Sequence, residues 1–303
     1  MKEGTNIKEL NHLLEKISVL SQESPTYKKL AYFIEKNYKN VIFMTASEVA
    51  AKAGASQGSV SRFCIALGYK GYNDFLHNLQ QFVRKEITAP QRLQYASNFR
   101  QNTSNIMDME HQNIEELKEV ISQPEYRKIV EKLASCGQLI LISARMSATL
   151  LPYTYYVLNK MKDHVIQATP HEPLWETMEM LDPAHVQFLA IVFPRYPNIL
   201  LNKLETLHKK GFRISAITDS ITSPVVKIAD EVVCIPITTS SIFDIYSTPV
   251  LFLNLLMRDV ARLVEGVDKR ISILEKLDQE NQTYFKTAYL KEDPFFVNKD
   301  NKV

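Results

Sequence analysis

One arginine stands in an unusual setting for a cation. Arg195 lies with Tyr196 between Pro194 and Pro197 in the stretch FPRYPN, residues 193–198, at the end of an apolar run. A guanidinium group binds carboxylates and phosphates through paired hydrogen bonds. The prolines fix φ on both sides of the pair, which lowers the entropy lost when a ligand binds. The stretch therefore predicts a preorganised anion-binding loop.

Apolar runs that alternate with amphipathic segments predict the elements that carry this loop. The runs, rich in β-branched and aliphatic residues, lie at 139–143, 164–168, 188–193, 213–218 and 231–236. Helical patterns at 147–160, 174–180, 198–210 and 223–229 separate them. Five such units predict a doubly wound, five-stranded parallel sheet covered on both faces, the α/β class of fold. Ligands in this fold bind at the carboxyl ends of the strands.

The predicted sheet places Arg145 after its first strand and Arg195 after its third, each beside a helix N-terminus that favours anions. The candidate ligand-binding residues at these strand ends are Ser143, Arg145, Ser147, Arg195, Tyr196, Asn198 and Asp219. Two arginines suit a carboxylate as well as a phosphate, so the expected ligand is a small anionic metabolite. Simpler interpretations remain: Arg195 could pair with Asp219 or Asp244, and Ser147 could cap a helix.

A second polar cluster lies near the N-terminus. Thr45 and Glu48 have the spacing of a capping box, and the helix that they begin would end at Gly54. Ser56 can cap a second helix at 57–67, which predicts a helix-turn-helix within an all-α domain. The candidate DNA contacts are Thr45, Ser56, Gln57, Gly58, Ser59, Ser61, Arg62 and Lys70. Short hydroxyl side chains reach phosphates, and Gln or Arg reads purine edges; a plain three-helix bundle with a solvated polar face is the alternative.

Residues 24–82 resemble the N-terminal domain of the RpiR family of bacterial transcription regulators. The signature positions are Thr45, Glu48, Ala50, Ala53, Gly54, Ser56, Ser59, Val60, Arg62, Phe63, Cys64, Leu67, Gly68, Gly71, Tyr72 and Phe75. The resemblance implies a regulator that binds double-stranded operator DNA as a homo-dimer or tetramer and is not an enzyme. Cys64 is best interpreted as a small core residue.

Residues 125–265 resemble the sugar isomerase (SIS) domain, which in this family follows the DNA-binding domain and binds a phosphosugar. The chain departs from that pattern, because no glycine lies between Gly137 and Gly211 and the Ser-x-Ser-Gly-x-Thr loop is replaced by FPRYPN. FPRY resembles a recurring variant among such regulators. Charge from arginine is thus expected to replace a backbone phosphate cradle. An isomerase-like enzyme and a domain that serves only for dimerisation are the alternatives.

Composition agrees with two soluble domains. The 303 residues are 45% hydrophobic and 23% charged, and residues 1–86 carry twelve Lys and Arg against eight Asp and Glu. We expect a helix-turn-helix domain at 1–84, a helical linker at 85–124, and a SIS-like domain with C-terminal helices at 125–303. Three widely spaced cysteines predict neither disulfide nor metal site. We expect no cofactor, no membrane contact and a cytoplasmic location. The apolar helix at 240–264 is expected to form the subunit interface, and a buried core helix is the alternative.

Overall fold

The computed structural model describes residues 3–83, 90, 93, 103–239 and 243–284. The N-terminal part is all-α. Its helices are α1 (Glu3–Leu20), α2 (Pro25–Val41), α3 (Ala46–Ala53), α4 (Gln57–Ala66) and α5 (Tyr72–Val83). Their apolar stripes converge on one core that includes Ile17, Leu30, Val49 and Phe63.

Local capping explains where these helices begin and end. The Ser24 hydroxyl accepts a hydrogen bond from the amide of Tyr27 at 3.1 Å, so Ser24 caps α2 as Pro25 begins it. The predicted capping box is present, since the Glu48 amide donates to the Thr45 hydroxyl and the Thr45 amide donates to the Glu48 carboxylate. Gly54 ends α3 at φ 65°, a left-handed conformation that glycine adopts without a Cβ penalty.

The rest of the described chain is an α/β unit. Its elements are α6 (Thr103–Ser122), α7 (Pro124–Ser135), β1 (Gln138–Ile142), α8 (Leu151–Met161), β2 (Val165–Ala168), α9 (Pro173–Thr177), β3 (Val186–Val192), α10 (Asn198–Lys209), β4 (Arg213–Thr218), β5 (Glu231–Cys234), β6 (Thr238–Thr239), β7 (Asp244–Ile245), α11 (Ser247–Ala261) and α12 (Val267–Glu280). Short 3-10 turns lie at Arg145–Leu150, Met178–Met180 and Pro224–Lys227.

The five main strands form a parallel sheet in the order β2-β1-β3-β4-β5. β3 is central, and all seven of its residues are buried. On one face, Leu189 and Ile191 pack with side chains from α7, α8 and α11; on the other, Phe188 and Ala190 pack with α9 and α10. The predicted fold class is confirmed: a helical domain precedes a doubly wound sheet covered on both faces.

Four predicted helices differ from the structure. The segment 174–180 divides into α9 and a 3-10 turn. The segment 147–160 divides into a 3-10 turn and α8, since Pro152 starts a new helix. The segment 223–229 forms only the 3-10 turn that begins at Pro224. The predicted apolar helix at 240–264 starts later, as α11, because residues 244–245 pair with Thr238–Thr239 in a small antiparallel ladder; residues 240–242 lie outside the described residues.

The C-terminal half of the predicted linker packs as part of the second domain. Leu117 and Val120 of α6 are buried in the core that covers one face of the sheet. This difference arises because the polar helix still carries a narrow apolar stripe that the sheet domain buries. The predicted boundary at residues 84 and 85 lies outside the described residues.

α11 is a core helix. Phe252, Leu253, Leu256, Met257 and Val260 are buried against the chain's own sheet and helices. Of the two interpretations open for this apolar segment, burial in its own core is the one that the structure shows. In the described part of the chain, no helix has both the length and the apolar character needed to cross a bilayer.

Candidate functional site

The two arginines end neighbouring strands in the same backbone conformation. Arg145 follows β1 with φ 59°, and Arg195 follows β3 with φ 68°. The left-handed region costs a residue with a Cβ atom about 1–2 kcal/mol, and such strain is concentrated at functional sites. The loops therefore hold a conformation that suits glycine while they present arginine.

A cleft of about 500 Å³ opens at these strand ends. It is lined by Ala144, Arg145, Met146, Ser147, Pro194, Arg195, Pro197, Phe243, Asp244 and Tyr246. Of the predicted ligand-binding residues, the structure thus brings together Arg145, Ser147 and Arg195. The cleft lies at the carboxyl edge of the sheet, where this fold binds its ligands.

Both guanidinium groups are exposed and unpaired within the described residues. No ion pair is formed there by Arg145 or Arg195. The alternative in which Arg195 pairs with Asp219 is not what the structure shows, since Asp219 accepts a hydrogen bond from the Tyr196 hydroxyl at 2.8 Å. Asp244 also lines the cleft, but neither arginine forms an ion pair with it. Two cations beside this one lining carboxylate leave a net positive charge that favours an anion.

Ser147 contributes a buried hydroxyl to the cleft. It lies inside the 3-10 turn, whose N-cap is Ala144, so it does not cap the turn. Its Oγ is 3.3 Å from the hydroxyl oxygen of Tyr246. The Tyr246 ring also packs against Phe193, with centroids 5.4 Å apart. The two hydroxyls give the cleft neutral donors and acceptors beside its cations.

Four predicted ligand-binding residues do not line the cleft. Ser143 is fully buried and donates to the carbonyl of Ile191 at 2.6 Å, which ties the ends of β1 and β3 together. Tyr196 and Asp219 bond to each other, and Asn198 is exposed at the first turn of α10. The bonds of Ser143, Tyr196 and Asp219 position the strand ends.

Sequence reasoning missed the cleft residues Phe243 and Tyr246, and it considered Asp244 only as a partner of Arg195. They precede α11 and fold back from the sheet edge through the β6–β7 ladder. The signal available in the sequence was Pro249, a residue favoured in the first turn of a helix, which places the helix start near 247 and leaves the preceding aromatic residues in a loop.

The predicted DNA contacts of the helix-turn-helix form two groups, the residues that cap a helix and the residues that lie along the accessible surface. Ser56 caps α4, because its hydroxyl accepts from the Ser59 amide at 3.2 Å, and Thr45 is engaged in its capping box. The exposed side chains along this surface are those of Gln57, Arg62 and Lys70, with Gly58 beside them and Ser59 and Ser61 half-buried. The Arg62 guanidinium lies 3.4 Å from the Ser59 hydroxyl.

Cys64 packs inside α4, on the face opposite this surface. It is fully buried, and burial, with a smaller contribution from Asp74, raises the pKa of its thiol to about 12. The thiol therefore stays protonated near neutral pH and is a poor nucleophile. Its predicted role as a small core residue is confirmed.

Comparison with known proteins supports both domains. Residues 11–86 match the family described as "Helix-turn-helix domain, rpiR family". An uncharacterized HTH-type transcriptional regulator from Providencia stuartii is 25% identical over 157 residues, which are 49% of this chain and 54% of that protein. The chain thus spans about half the length of the curated relative that it matches.

Two solved structures share the fold. The sugar isomerase domain of an RpiR transcription factor from Sphaerobacter thermophilus has a TM-score of 0.50 at 20% identity, covering 57% of this chain and 97% of that one. The Vibrio vulnificus NanR protein complexed with ManNAc-6P has a TM-score of 0.51 at 15% identity, covering 89% and 99%. Residues 11–86 thus form a helix-turn-helix domain of the rpiR type, and the domain that follows shares the fold of the sugar isomerase domain.

Proposed function

We propose that the protein is a DNA-binding transcription regulator controlled by a small anionic metabolite, of the phosphosugar class, that binds in its SIS-like domain. The observation that carries the proposal is the pair of left-handed, unpaired arginines, Arg145 and Arg195, in one cleft at the carboxyl edge of the sheet. A ligand anion would satisfy both guanidinium groups through charge-assisted hydrogen bonds.

The remaining cleft residues favour a ligand with a polar carbon skeleton as well as an anion. Ser147 and Tyr246 provide hydroxyls that suit sugar hydroxyl groups, and Phe243 provides an exposed apolar face. NanR, which shares the fold, binds ManNAc-6P, a phosphorylated amino sugar. A small carboxylate satisfies the arginines equally well, so it belongs in the same screen.

The experiment is a thermal-shift screen of sugar phosphates, phosphorylated amino sugars and small carboxylates against three proteins. These are the wild type, Arg195→Ala, and Arg213→Ala as the matched control, because Arg213 is exposed at the opposite end of the neighbouring strand β4. A ligand at about a hundred times its Kd adds roughly 2.7 kcal/mol of stability. We expect a hit that Arg213→Ala retains and Arg195→Ala loses; stabilisation retained by Arg195→Ala would contradict the proposed site.

Two alternatives have distinct outcomes in this screen. An isomerase would convert the stabilising sugar phosphate, which product analysis of the same mixture detects. The carboxylates of Glu172 and Glu176 and the imidazole of His171, which could act as a general base, do not line the cleft. A domain that serves only for dimerisation would be stabilised by no compound.

DNA binding is proposed for the helix-turn-helix, and a chromosomal operator implies a cytoplasmic location. Arg62→Ala should weaken binding to DNA from upstream of the protein's own gene and reduce the salt dependence by about one phosphate contact. Lys36→Ala is the charge-matched control, because Lys36 is exposed on α2, away from the predicted contacts. Equal losses in both variants would contradict the predicted DNA contacts.

We also propose a homo-dimer or tetramer, since symmetric operators pair with symmetric proteins. With α11 buried, the candidate surface is formed by exposed apolar side chains of α8 and α12, among them Tyr153, Tyr156 and Ile271. Sedimentation analysis of the wild type and of Tyr156→Lys measures the assembly. A monomeric wild type would exclude the oligomer.

A further inference from the structure

Four of the eight predicted DNA contacts lie on one wall of a second cleft, between the helix-turn-helix and α6. This cleft has a volume of about 690 Å³. One wall carries Thr45, Gln57, Ser61 and Lys70, which we call the reading face. The opposite wall is part of α6, the helix that packs on the SIS-like domain.

The α6 wall is acidic. Asp108, Glu116 and Glu119 line the cleft, and we call them the acidic wall. The Lys70 ammonium lies 3.2 Å from the Glu119 carboxylate. Lys70 thus contacts a carboxylate at the place where the proposed function requires it to contact a DNA phosphate.

The geometry points to an autoinhibited state: we propose that the acidic wall of α6 occupies the reading face as a substitute for DNA phosphates, so that DNA and α6 compete for it. This inference rests on the proposed function. A recognition helix must enter a major groove about 12 Å wide, which a facing helix prevents. The acidic wall also repels the phosphate backbone, which carries one charge per about 1.7 Å of duplex.

Within the described residues, the contacts that hold the N-terminal domain to α6 are weak. The Lys70–Glu119 pair is solvent-exposed, and exposed ion pairs contribute about 0–1 kcal/mol. The apolar contact is provided by Met109 of α6, which packs against the N-terminal core. Competition by a DNA duplex that makes several phosphate contacts can therefore displace α6.

α6 is held far more firmly by the SIS-like domain. Glu110 is buried and accepts hydrogen bonds from the Ser247 hydroxyl, from the Thr248 amide at 3.2 Å and from the Thr248 hydroxyl at 2.9 Å. Asn113 donates to Glu110 at 3.2 Å and to the Thr238 hydroxyl at 2.7 Å. The acidic wall is thus a fixed part of the SIS-like domain, and the N-terminal domain is the part that must move.

The same contacts connect the acidic wall to the cleft that contains Arg145 and Arg195. Phe243, Asp244 and Tyr246 line that cleft, and the next two residues along the chain, Ser247 and Thr248, are the ones that Glu110 holds. A ligand that shifts this loop changes the support of α6. Allostery further requires the two states to differ in ligand affinity.

The test measures DNA affinity of the full-length protein by fluorescence anisotropy. The probes are a labelled duplex from upstream of its own gene and a mixed-sequence duplex of equal length, and no small molecule is added. The test variant is Asp108→Asn/Glu119→Gln, which leaves Glu116 unchanged because Asp74 of the N-terminal domain repels it. The control variant, Glu115→Gln/Glu131→Gln, removes the same charge from exposed positions on α6 and α7 that do not line the cleft.

We expect the test variant to bind both duplexes about tenfold more tightly than the wild type, within the usual range of coupling between two sites. The control variant should gain little. Equal gains in DNA affinity by both variants would assign the effect to net charge and overturn the inference. No gain in DNA affinity by the test variant would also overturn it. In both cases the proposed function stands. Binding of neither duplex by any of the three proteins would overturn the proposed function as well.

Discussion

The Tyr196 hydroxyl donates a 2.8 Å hydrogen bond to the buried carboxylate of Asp219, which joins the loop after β3 to the loop after β4. Arg195, directly before Tyr196, is exposed and held at φ 68°. The bond thus fixes one side of the strained arginine while Pro194 fixes the other. Tyr196 acts on a bound anion through the position of Arg195.

Tyr196→Phe should therefore weaken ligand binding without removing a ligand contact. Loss of this hydrogen bond to a buried carboxylate should also lower the free energy of unfolding by about 1–3 kcal/mol. Urea denaturation measures the stability, and titration with the strongest compound of the thermal-shift screen measures the Kd. Unchanged affinity in a destabilised variant would limit the bond to a structural role.

Arg195→Gly should stabilise the fold relative to Arg195→Ala while both variants lose ligand binding. Alanine keeps the left-handed strain of about 1–2 kcal/mol, whereas glycine removes it. Part of this gain is offset, because glycine raises the conformational entropy of the unfolded chain. Comparison of the two melting temperatures isolates the strain, because both variants lack the guanidinium group. A glycine variant that is no more stable than the alanine variant would show that the loop is not strained at Arg195.

The sequence predicted the strands, the helix-turn-helix and the two arginines, because each has a local signature. Capping at Thr45 and Ser56 and the apolar runs of the sheet depend on neighbouring residues alone. The partners of these residues could not be predicted in the same way. Ser143 and Asp219 were placed in the site by their position at strand ends, yet their bonds to Ile191 and Tyr196 depend on how separate loops meet.

The contribution of α6 was missed for a related reason. Its sequence is polar, and the residues that attach it to the SIS-like domain are single side chains such as Glu110 and Asn113, whose partners are more than a hundred residues away in the chain. Periodicity indicates a helix there but not the surface that the helix covers.

Glu110→Ala should destabilise the protein by about 1–3 kcal/mol, because the amide and hydroxyl groups at the start of α11 lose their acceptor in a buried setting. Glu115→Ala is the matched control, since Glu115 is exposed on the same helix and pairs with Lys118 three residues away. Urea denaturation of both variants measures the difference. Equal stabilities would show that Glu110 does not support α11.

Glu116→Gln should stabilise the protein at neutral pH and lose that advantage in acid. The Glu116 side chain is exposed, but its carboxyl group faces the cleft and is partly desolvated. This desolvation, followed by repulsion from Asp74 and Glu119, raises the pKa of the Glu116 carboxyl above its ordinary value of 4.5 in the folded state, although Lys70 opposes the shift. A raised folded pKa means that the folded state binds the proton more tightly than the unfolded state does. Ionisation of Glu116 therefore lowers the free energy of unfolding. This loss is absent below the pKa of the unfolded state and grows as pH rises through the pKa of the folded state.

Melting temperatures of Glu116→Gln and the wild type at pH 7 and near pH 4 measure this loss, with the difference between the proteins expected to shrink in acid. Glu115→Gln provides a control of opposite sign, because the neighbouring Lys118 lowers the pKa of the Glu115 carboxyl. At neutral pH that variant should be slightly less stable than the wild type. If the stability difference between Glu116→Gln and the wild type persists unchanged in acid, packing is its cause. Repulsion between carboxylates at the acidic wall would then be contradicted.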